Sequence, residues 1–426
     1  MEVKELMDTS EAEVLNRTQP VRKAAASWRT LPVQSELDRH EESAHAQLET
    51  PDGLTLIAAR TRGRQHRHEG RNCDDWFELA QAGEWSLVAV ADGAGGHPLS
   101  RVGAKAACQA AVAELGRQLT DVKTPSVFCS GNAGQPNVAS AFGLEAYMRS
   151  LKAVYLAVEA ACGALDAAWE ERMERPEYRE LLGRSPEPQD FSTTLSLLAF
   201  KVVQVDGERF ALGWGYQIGD GLLAGVDSAG KAELVGVREQ GEQANETVFL
   251  SRASLGRGVG ERVRKLYLPL TALLAMTDGV IELPRFPLPN TTAVEMLYAE
   301  MLLNNVAPPP EASDAAIAAA LSGTRYPEPA RFMAEALFHH QVETDGKAAG
   351  RTLAFADSEL LAECLGLELP AVLSSPALLA AGARRTALLC PASPSPGWLE
   401  TWLSNFPWRG CYDDRTLVVA YEGARR

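Results

Sequence analysis

The run Trp85-Ser86-Leu87-Val88-Ala89-Val90-Ala91 carries no charge and ends in Asp92-Gly93-Ala94-Gly95-Gly96-His97. The apolar stretch reads as a strand. It sets one carboxylate at the end of a rigid platform, and the glycines let the backbone turn sharply and approach a ligand closely. The arrangement recurs along the chain. Apolar strands also run into Asp220-Gly221 and Asp278-Gly279, Asp413 stands just before a strand, and Asp74-Asp75 stands just before Trp76-Phe77-Glu78-Leu79. Taken singly, each Asp-Gly reads as a turn, and Asp220-Gly221 between Ile218 and Leu222 reads as a hairpin. Taken together, several carboxylates at one sheet edge would repel each other and need cations to compensate. Oxygen ligands alone favour Mg²⁺ or Mn²⁺ over zinc.

Around these points the pattern mixes strands and helices without regular alternation. Leu54 to Ala59, Thr194 to Val203, Arg209 to Ile218, Leu268 to Met276 and Leu417 to Tyr421 are β-like. Val102, Ala106, Ala110 and Ala113 recur at helical spacing. Leu144, Tyr147, Met148, Leu151, Val154, Tyr155 and Val158 form a longer stripe that reads as a core-facing helix. Lys123 to Gly143 is rich in Pro, Gly, Ser and Asn and reads as a loop. Asp314 to Leu321 reads as a helix with Ser313 as its N-cap and Gly323 as its stop.

The composition narrows the class. Of 426 residues, 41 are Lys or Arg and 56 are Asp or Glu, a formal charge of −15. A net negative field repels phosphates, which argues against nucleic acid or an anionic membrane as partner and suits a protein that gathers divalent cations. The acidic start, Met1-Glu2-Val3-Lys4-Glu5, does not read as a signal peptide, and no apolar stretch is long enough for a membrane span. The seven cysteines are an odd number without a CxxC pair, which reads as reduced thiols and a cytoplasmic location. Residues 1–50 read as a polar extension, and residues 51–426 as the main domain. Within it, about 284–396 is Pro- and Ala-rich and reads as a mainly helical insertion.

With these strings in hand, the chain resembles the metal-dependent Ser/Thr protein phosphatases of the protein phosphatase 2C type. Ala91 to His97 is similar to their Asp-Gly-x-Gly-Gly-His signature. His66 to Asp75 resembles the His-x3-Gly-x2-Cys-Gln-Asp opening of one bacterial branch, with Asp74 where the family has Gln or Glu. Asp190-Phe191-Ser192-Thr193-Thr194, Ile218-Gly219-Asp220-Gly221, Thr277-Asp278-Gly279 and Asp413-Asp414-Arg415-Thr416 follow in the family's order. The resemblance implies an α+β fold, a sandwich of two mostly antiparallel sheets flanked by helices, with a long helical insertion before the last strand. It also implies roles. Asp92 would bridge two metals, the Gly93 carbonyl would ligate one, and Asp278 and Asp413 would complete the second site. Asp75 would be a direct or water-mediated ligand, with Asp74 beside it. Asp190 lies near the acid that holds a third, loosely bound metal in such enzymes.

The implied chemistry is hydrolysis of phosphoserine and phosphothreonine in proteins, opposing a Ser/Thr kinase. Two Mg²⁺ or Mn²⁺ ions roughly 3.5–4 Å apart would share a hydroxide, the pKa of its water lowered from about 15.7 toward ~7. Arg64, Arg67, Arg71, His66 and His68 are all candidates to grip phosphate, with His66 fitting the branch pattern best. His97 is either a proton donor or a residue that shapes its loop. The 135 positions from Asp278 to Asp413 exceed what the resemblance calls for, and the insertion is a candidate cap or partner-docking element. The alternative is a catalytically weak or inactive relative acting as a regulatory protein-binding module. The presence of Asp75, Asp92, Asp278 and Asp413 together speaks against it.

Overall fold

The structure is a computed structural model that describes residues 29–34, 37–125, 127–128, 143–236, 247–255, 257–281, 290–335, 339–342, 352–388, 390–391, 393–405 and 412–422. Of the N-terminal stretch, residues 1–28 lie outside the described residues, as does most of the loop expected over 123–143. The chain divides into two compact units. Of the described residues, one comprises those within 29–228, 232–290 and 412–422, and the other those within 229–231 and 291–405.

The strands are β1 (Ser43–Glu49), β2 (Leu54–Thr61), β3 (Trp76–Ala82), β4 (Trp85–Ala91), β5 (Val127–Phe128), β6 (Leu195–Val205), β7 (Glu208–Ile218), β8 (Leu222–Val226), β9 (Ala232–Leu234), β10 (Val263–Pro269), β11 (Ala272–Met276), β12 (His339–Val342), β13 (Thr352–Phe355) and β14 (Arg415–Glu422). In the first unit one sheet has the order β1-β2-β14-β11-β8-β9, and the other has β10-β7-β6-β4-β3 with β5 pairing β6. All pairings are antiparallel except β5 with β6. The fold is therefore α+β, built on two mostly antiparallel sheets.

Strand β4 shows why its sequence lacks alternation. Val88 and Val90 pack with Leu56, Ala58, Leu198, Phe200, Leu273 and Val418, a core drawn from both sheets. Leu87, Ala89 and Ala91 face the other way, toward Ala104, Ala107, Cys108 and Ala111 of one helix and Ala157, Val158 and Ala161 of another. Successive side chains point to opposite faces, so a strand covered on both sides must be apolar at every position.

Four helices frame this unit's chemistry: α1 (Arg64–Glu69), α2 (Ser100–Leu119), α3 (Leu144–Arg172) and α4 (Pro176–Leu182). The stripe expected to be core on α3 is only partly so. Leu144 is 75% exposed and Met148 56%. The helix instead buries Ala146, Ser150, Ala153, Val154, Ala157, Val158 and Ala161, a small-residue face that lets it approach α2 closely.

The expectation that residues 1–50 form a polar extension needs correction within its described part. Residues Ser43–Glu49 are an edge strand in full antiparallel register with β2, from Ser43 opposite Thr61 to Glu49 opposite Thr55. Polar and charged residues suit an unpaired sheet edge, and that composition hid the strand. The preceding residues strap onto α1: the Leu31 N–H donates to the Arg67 carbonyl at 2.8 Å and the Gln34 N–H to the Gly70 carbonyl at 2.9 Å.

The second unit is mainly helical. Its helices are Thr291–Leu303, Asp314–Leu321, Pro329–Glu335, Ser358–Leu365, Leu369–Leu373, Pro376–Thr386 and Pro396–Ser404, with β12 and β13 as a small antiparallel pair. Ser313 caps Asp314–Leu321 by accepting the Ala316 N–H at 3.2 Å, and Gly323 follows in the left-handed region at φ 87°. Helix Pro396–Ser404, past the 396 expected as the end of the insertion, also belongs to this unit and buries Trp398, Leu399, Trp402 and Leu403.

Candidate metal centre

Strand registers gather the acidic loops at one end of the sandwich. In the first sheet Thr61 pairs with Arg415, Leu417 with Met276, and Met276 with Leu222. Residues 62–63, 413–414, 277–278 and 220–221 therefore leave the sheet on the same side. In the second sheet Trp76 pairs with Ala91 and Leu195 with Ile218, which adds 74–75, 92–93, 193–194 and 219–220. Two glycines make the convergence possible. A Cβ on Gly93 would lie 2.6 Å from the Asp74 carbonyl oxygen, and one on Gly279 would lie 1.8 Å from that of Asp414. No side chain fits at either place.

Asp92, Asp220 and Asp278 each present a carboxylate oxygen, and the three atoms lie within 4.8 Å of one another. Asp92 is held from behind: its N–H donates to Thr194 Oγ1 at 2.9 Å, and its carbonyl accepts from the Thr193 hydroxyl at 2.8 Å and the Thr194 N–H at 2.9 Å. Burial, then the charges of Asp278, Asp75, Asp413 and Asp220, push the Asp92 carboxyl well above its usual range.

Asp75 is fully buried beside this group. Its Oδ2 accepts from the Thr277 hydroxyl at 2.8 Å and the Thr416 hydroxyl at 2.7 Å. Its Oδ1 is buried and accepts no hydrogen bond among the described residues. Burial and the neighbouring Asp414 push its carboxyl up to about 8. Asp220 bonds to Thr247 through Oδ2, while its Oδ1 is likewise buried without a hydrogen bond among the described residues. Buried oxygens normally find a donor, and close carboxylates normally find counter-charge. Oxygens arranged this way fit a hard divalent cation, and the donor set is oxygen only.

Asp413 is exposed at the rim and is not one of the three mutually close acids, although its charge acts on Asp92 and Asp75. Its Oδ1 accepts the Asp414 N–H at 2.8 Å. Asp414 turns inward and ties the opening motif together. Its Oδ1 accepts the Gly63 N–H at 2.6 Å, and its Oδ2 accepts the Asp74 N–H at 2.5 Å and His66 Nδ1 at 2.9 Å. Burial opposes charge on both partners, but the attraction between them wins. His66 is pushed up to about 9 and the Asp414 carboxyl is held below its usual range. His66 is thus buried, with Nδ1 on Asp414 and Nε2 3.9 Å from Asp74. Asp74 is pushed up to about 7 by burial and by Asp414, and it accepts from Arg71 Nη2 at 3.0 Å.

Asp190 does not join the cluster. Arg184 grips both its oxygens, at 2.7 and 2.6 Å, and the Glu187 N–H donates to it at 2.8 Å. Burial would raise its pKa, but these partners hold it below the usual range. The acid that the geometry brings in instead is Asp220, which sequence reasoning kept as a hairpin turn. Its place in the Ile218-Gly219-Asp220-Gly221 string was the available signal. Asp414, Thr277 and Thr416 were also missed as partners, although each adjoins or belongs to a quoted string. The His97 ring lies edge-on to Phe249, 6.0 Å between centroids, and the His97 backbone N–H donates to the Ala94 carbonyl at 2.9 Å, which closes the glycine turn.

The profile of the family described as protein phosphatase 2C matches residues 62–322. A comparison with curated proteins returns no match. Among solved structures, the chain is similar to the serine/threonine phosphatase of S. agalactiae, at 13% identity over 89% of this chain and 100% of the other, with a TM-score of 0.32. It is similar to a PPM Ser-Thr phosphatase from Mycobacterium smegmatis solved with cacodylate, at 14% identity over 92% and 100%, TM-score 0.28. It is similar to a phosphatase from Toxoplasma gondii, at 11% identity over 89% and 95%, TM-score 0.36. The family assignment rests on the profile, which spans more than half of the 426 residues and takes in Asp74, Asp75, Asp92, Asp220 and Asp278. The chain belongs to the protein phosphatase 2C family.

Proposed function

We propose that the protein hydrolyses phosphoserine and phosphothreonine in proteins with two Mg²⁺ or Mn²⁺ ions, and so opposes a Ser/Thr kinase. The observation that carries this reading is the close trio of Asp92, Asp220 and Asp278 with the bare Oδ1 of Asp75 beside it. Asp92 would be shared between the ions, with the Gly93 carbonyl, Asp278, Asp220, Asp75 and the rim carboxylate of Asp413 supplying further oxygens. When bound, the pair of ions supplies an acidified water as nucleophile and neutralises charge on the phosphoryl oxygens.

The protein's own groups do the positioning. The hydroxyls of Thr277 and Thr416 hold Oδ2 of Asp75, which would leave its Oδ1 to a cation. His66, charged up to about pH 9, holds Asp414, which in turn fixes the Gly63 and Asp74 backbone. Among the basic residues of the opening motif, Arg71 is the one we assign to phosphate. Its Nη2 donates both to Asp74 and to the Gly95 carbonyl at 2.9 Å, which seats the guanidinium against the glycine turn that follows Asp92. We assign no third metal to Asp190, whose oxygens are committed to Arg184.

The test is hydrolysis of p-nitrophenyl phosphate and of a phosphothreonine peptide with Mn²⁺ present. The expected result is turnover that EDTA abolishes and that falls at least about 100-fold in Asp92→Ala and in Asp278→Ala. A folded wild-type protein that turns over neither substrate with Mg²⁺ or Mn²⁺ would establish the regulatory module instead.

A further inference from the structure

Beside the acidic cluster the first unit contains a cavity of about 380 Å³. Its lining includes Gln34 and Asn72, Arg71 and Asp74 of the opening motif, Pro98 and Arg101, and Leu181 and Leu182 at the end of α4. The cavity is therefore continuous with the proposed phosphate position, because it shares Arg71 and Asp74 with it.

Apart from Arg71, assigned above to phosphate, the charged side chains of the lining already have protein partners. Arg101 donates from Nε to the Asp38 carbonyl at 2.9 Å, from Nη1 to the Pro98 carbonyl at 2.6 Å and from Nη2 to the Leu37 carbonyl at 2.8 Å. Asp74 is bound by Arg71. Glu69, at the rim, accepts from Gln65 Nε2 at 3.2 Å and lies 3.7 Å from Arg71. A charged ligand would have to displace these partners, which is costly. An apolar side chain displaces none of them and finds Pro98, Leu182 and Leu181, the last 46% exposed. An exposed leucine beside a cavity gains from being covered.

The leucine wall is also rigidly mounted. Tyr178 of α4 is buried with Leu99, Val102, Ala168 and Phe191, and its hydroxyl donates to Asp38 Oδ2 at 2.6 Å. Asp38 is gripped in turn by Arg172 at two 2.9 Å contacts. Leu182, one helical turn after Tyr178, packs on the same cluster and leaves Leu181 at the lip.

We infer that this cavity is a substrate subsite that takes an apolar side chain flanking the phosphorylated residue, so that the enzyme selects phosphoproteins by a hydrophobic neighbour. The inference rests on the phosphatase reading for its substrate class. It is tested on the full chain with Mn²⁺ and phosphoserine peptides of otherwise Gly-Ser sequence. Leucine, lysine or glutamate is placed in turn at each of about four positions on either side of the phosphoserine. At one position leucine raises kcat/KM roughly tenfold over lysine and glutamate. Leu181→Asp, a change at an exposed side chain, reduces that advantage to within about twofold and leaves p-nitrophenyl phosphate turnover at the wild-type level. The same labelled peptides are followed by fluorescence anisotropy. A protein without turnover defeats the phosphatase reading, while a leucine preference in binding, lost in Leu181→Asp, still upholds the subsite. No leucine preference at any position, a preference for lysine or glutamate, or a leucine preference that survives in Leu181→Asp overturns it.

Discussion

The Thr416 hydroxyl donates to Asp75 Oδ2 at 2.7 Å across 341 positions of sequence, and Thr277, 202 positions from Asp75, donates to the same oxygen at 2.8 Å. The Thr416 N–H also donates to Thr277 Oγ1 at 3.0 Å, so the two threonines support each other. One carboxylate oxygen is thereby satisfied and the other is left bare.

This predicts that the threonines tune cation binding. Thr416→Val and Thr277→Val keep the shape and remove the donor. Each is expected to weaken Mn²⁺ binding by about 10–100-fold, the usual effect of removing a partner that orients a ligand. The cost in stability is only about 1 kcal/mol. Calorimetric titration against urea unfolding separates the two effects, and unchanged Mn²⁺ affinity in both variants would contradict it.

Protons and cations compete for the same oxygens. With Asp74 raised to about 7, Asp75 to about 8 and Asp92 also well above its usual range, the metal-free protein retains protons there that the unfolded chain releases near 3.8. The native state thus binds more protons than the unfolded one, and metal-free stability falls as pH rises between about 4 and 8. His66 acts in the same direction: its contribution is complete below 6.5 and is lost as pH rises through about 9. Mn²⁺ affinity should rise over the same range, because binding expels protons. Melting curves at pH 6 and 8, with and without Mn²⁺, check both signs. The metal-free Tm should drop toward pH 8, and the Mn²⁺-induced rise in Tm should be larger there.

The His66–Asp414 pair is buried, so breaking it from one side strands a charge. His66→Gln leaves Asp414 without its cation and should cost about 3–5 kcal/mol in urea unfolding. Adding Asp414→Asn removes the stranded charge and should recover a large part of that loss. A double variant as unstable as the sum of the singles would show that the pair is not coupled.

Gly279→Ala tests the backbone packing under the centre. Its Cβ would sit 1.8 Å from the Asp414 carbonyl oxygen, so either the Asp278 turn or the Asp414 loop must move. Turnover should fall at least about 100-fold, because a shift of about 1 Å in a reacting geometry is enough for that. Wild-type kcat/KM in Gly279→Ala would show that the two loops do not need this contact.

Asp92, Asp220 and Asp278 were legible because each sits where a strand meets a glycine, and Asp75 and Asp413 because each stands just before a strand, patterns that survive in a single sequence. The sandwich was implied by the family resemblance that those strings carry. What could not be read was which way each side chain turns. Asp190 and Asp220 both sit in quoted strings, but only register places Asp220 opposite Asp278. Leu222 pairs with Met276, and each acid lies two positions outside that pair. Arg184, which captures Asp190, belongs to no motif. The edge strand Ser43–Glu49 was hidden by its polar residues, and the buried face of α3 by alanines that weigh little in an apolar stripe.

Whether Asp92 and Asp278 hold cations in common can be read by anomalous diffraction from crystals soaked in Mn²⁺. Two peaks that share Asp92 are expected, at least one also reached by Asp278, at oxygen distances of about 2.0–2.3 Å. Well-ordered crystals at saturating Mn²⁺ with no peak against either carboxylate would contradict this expectation.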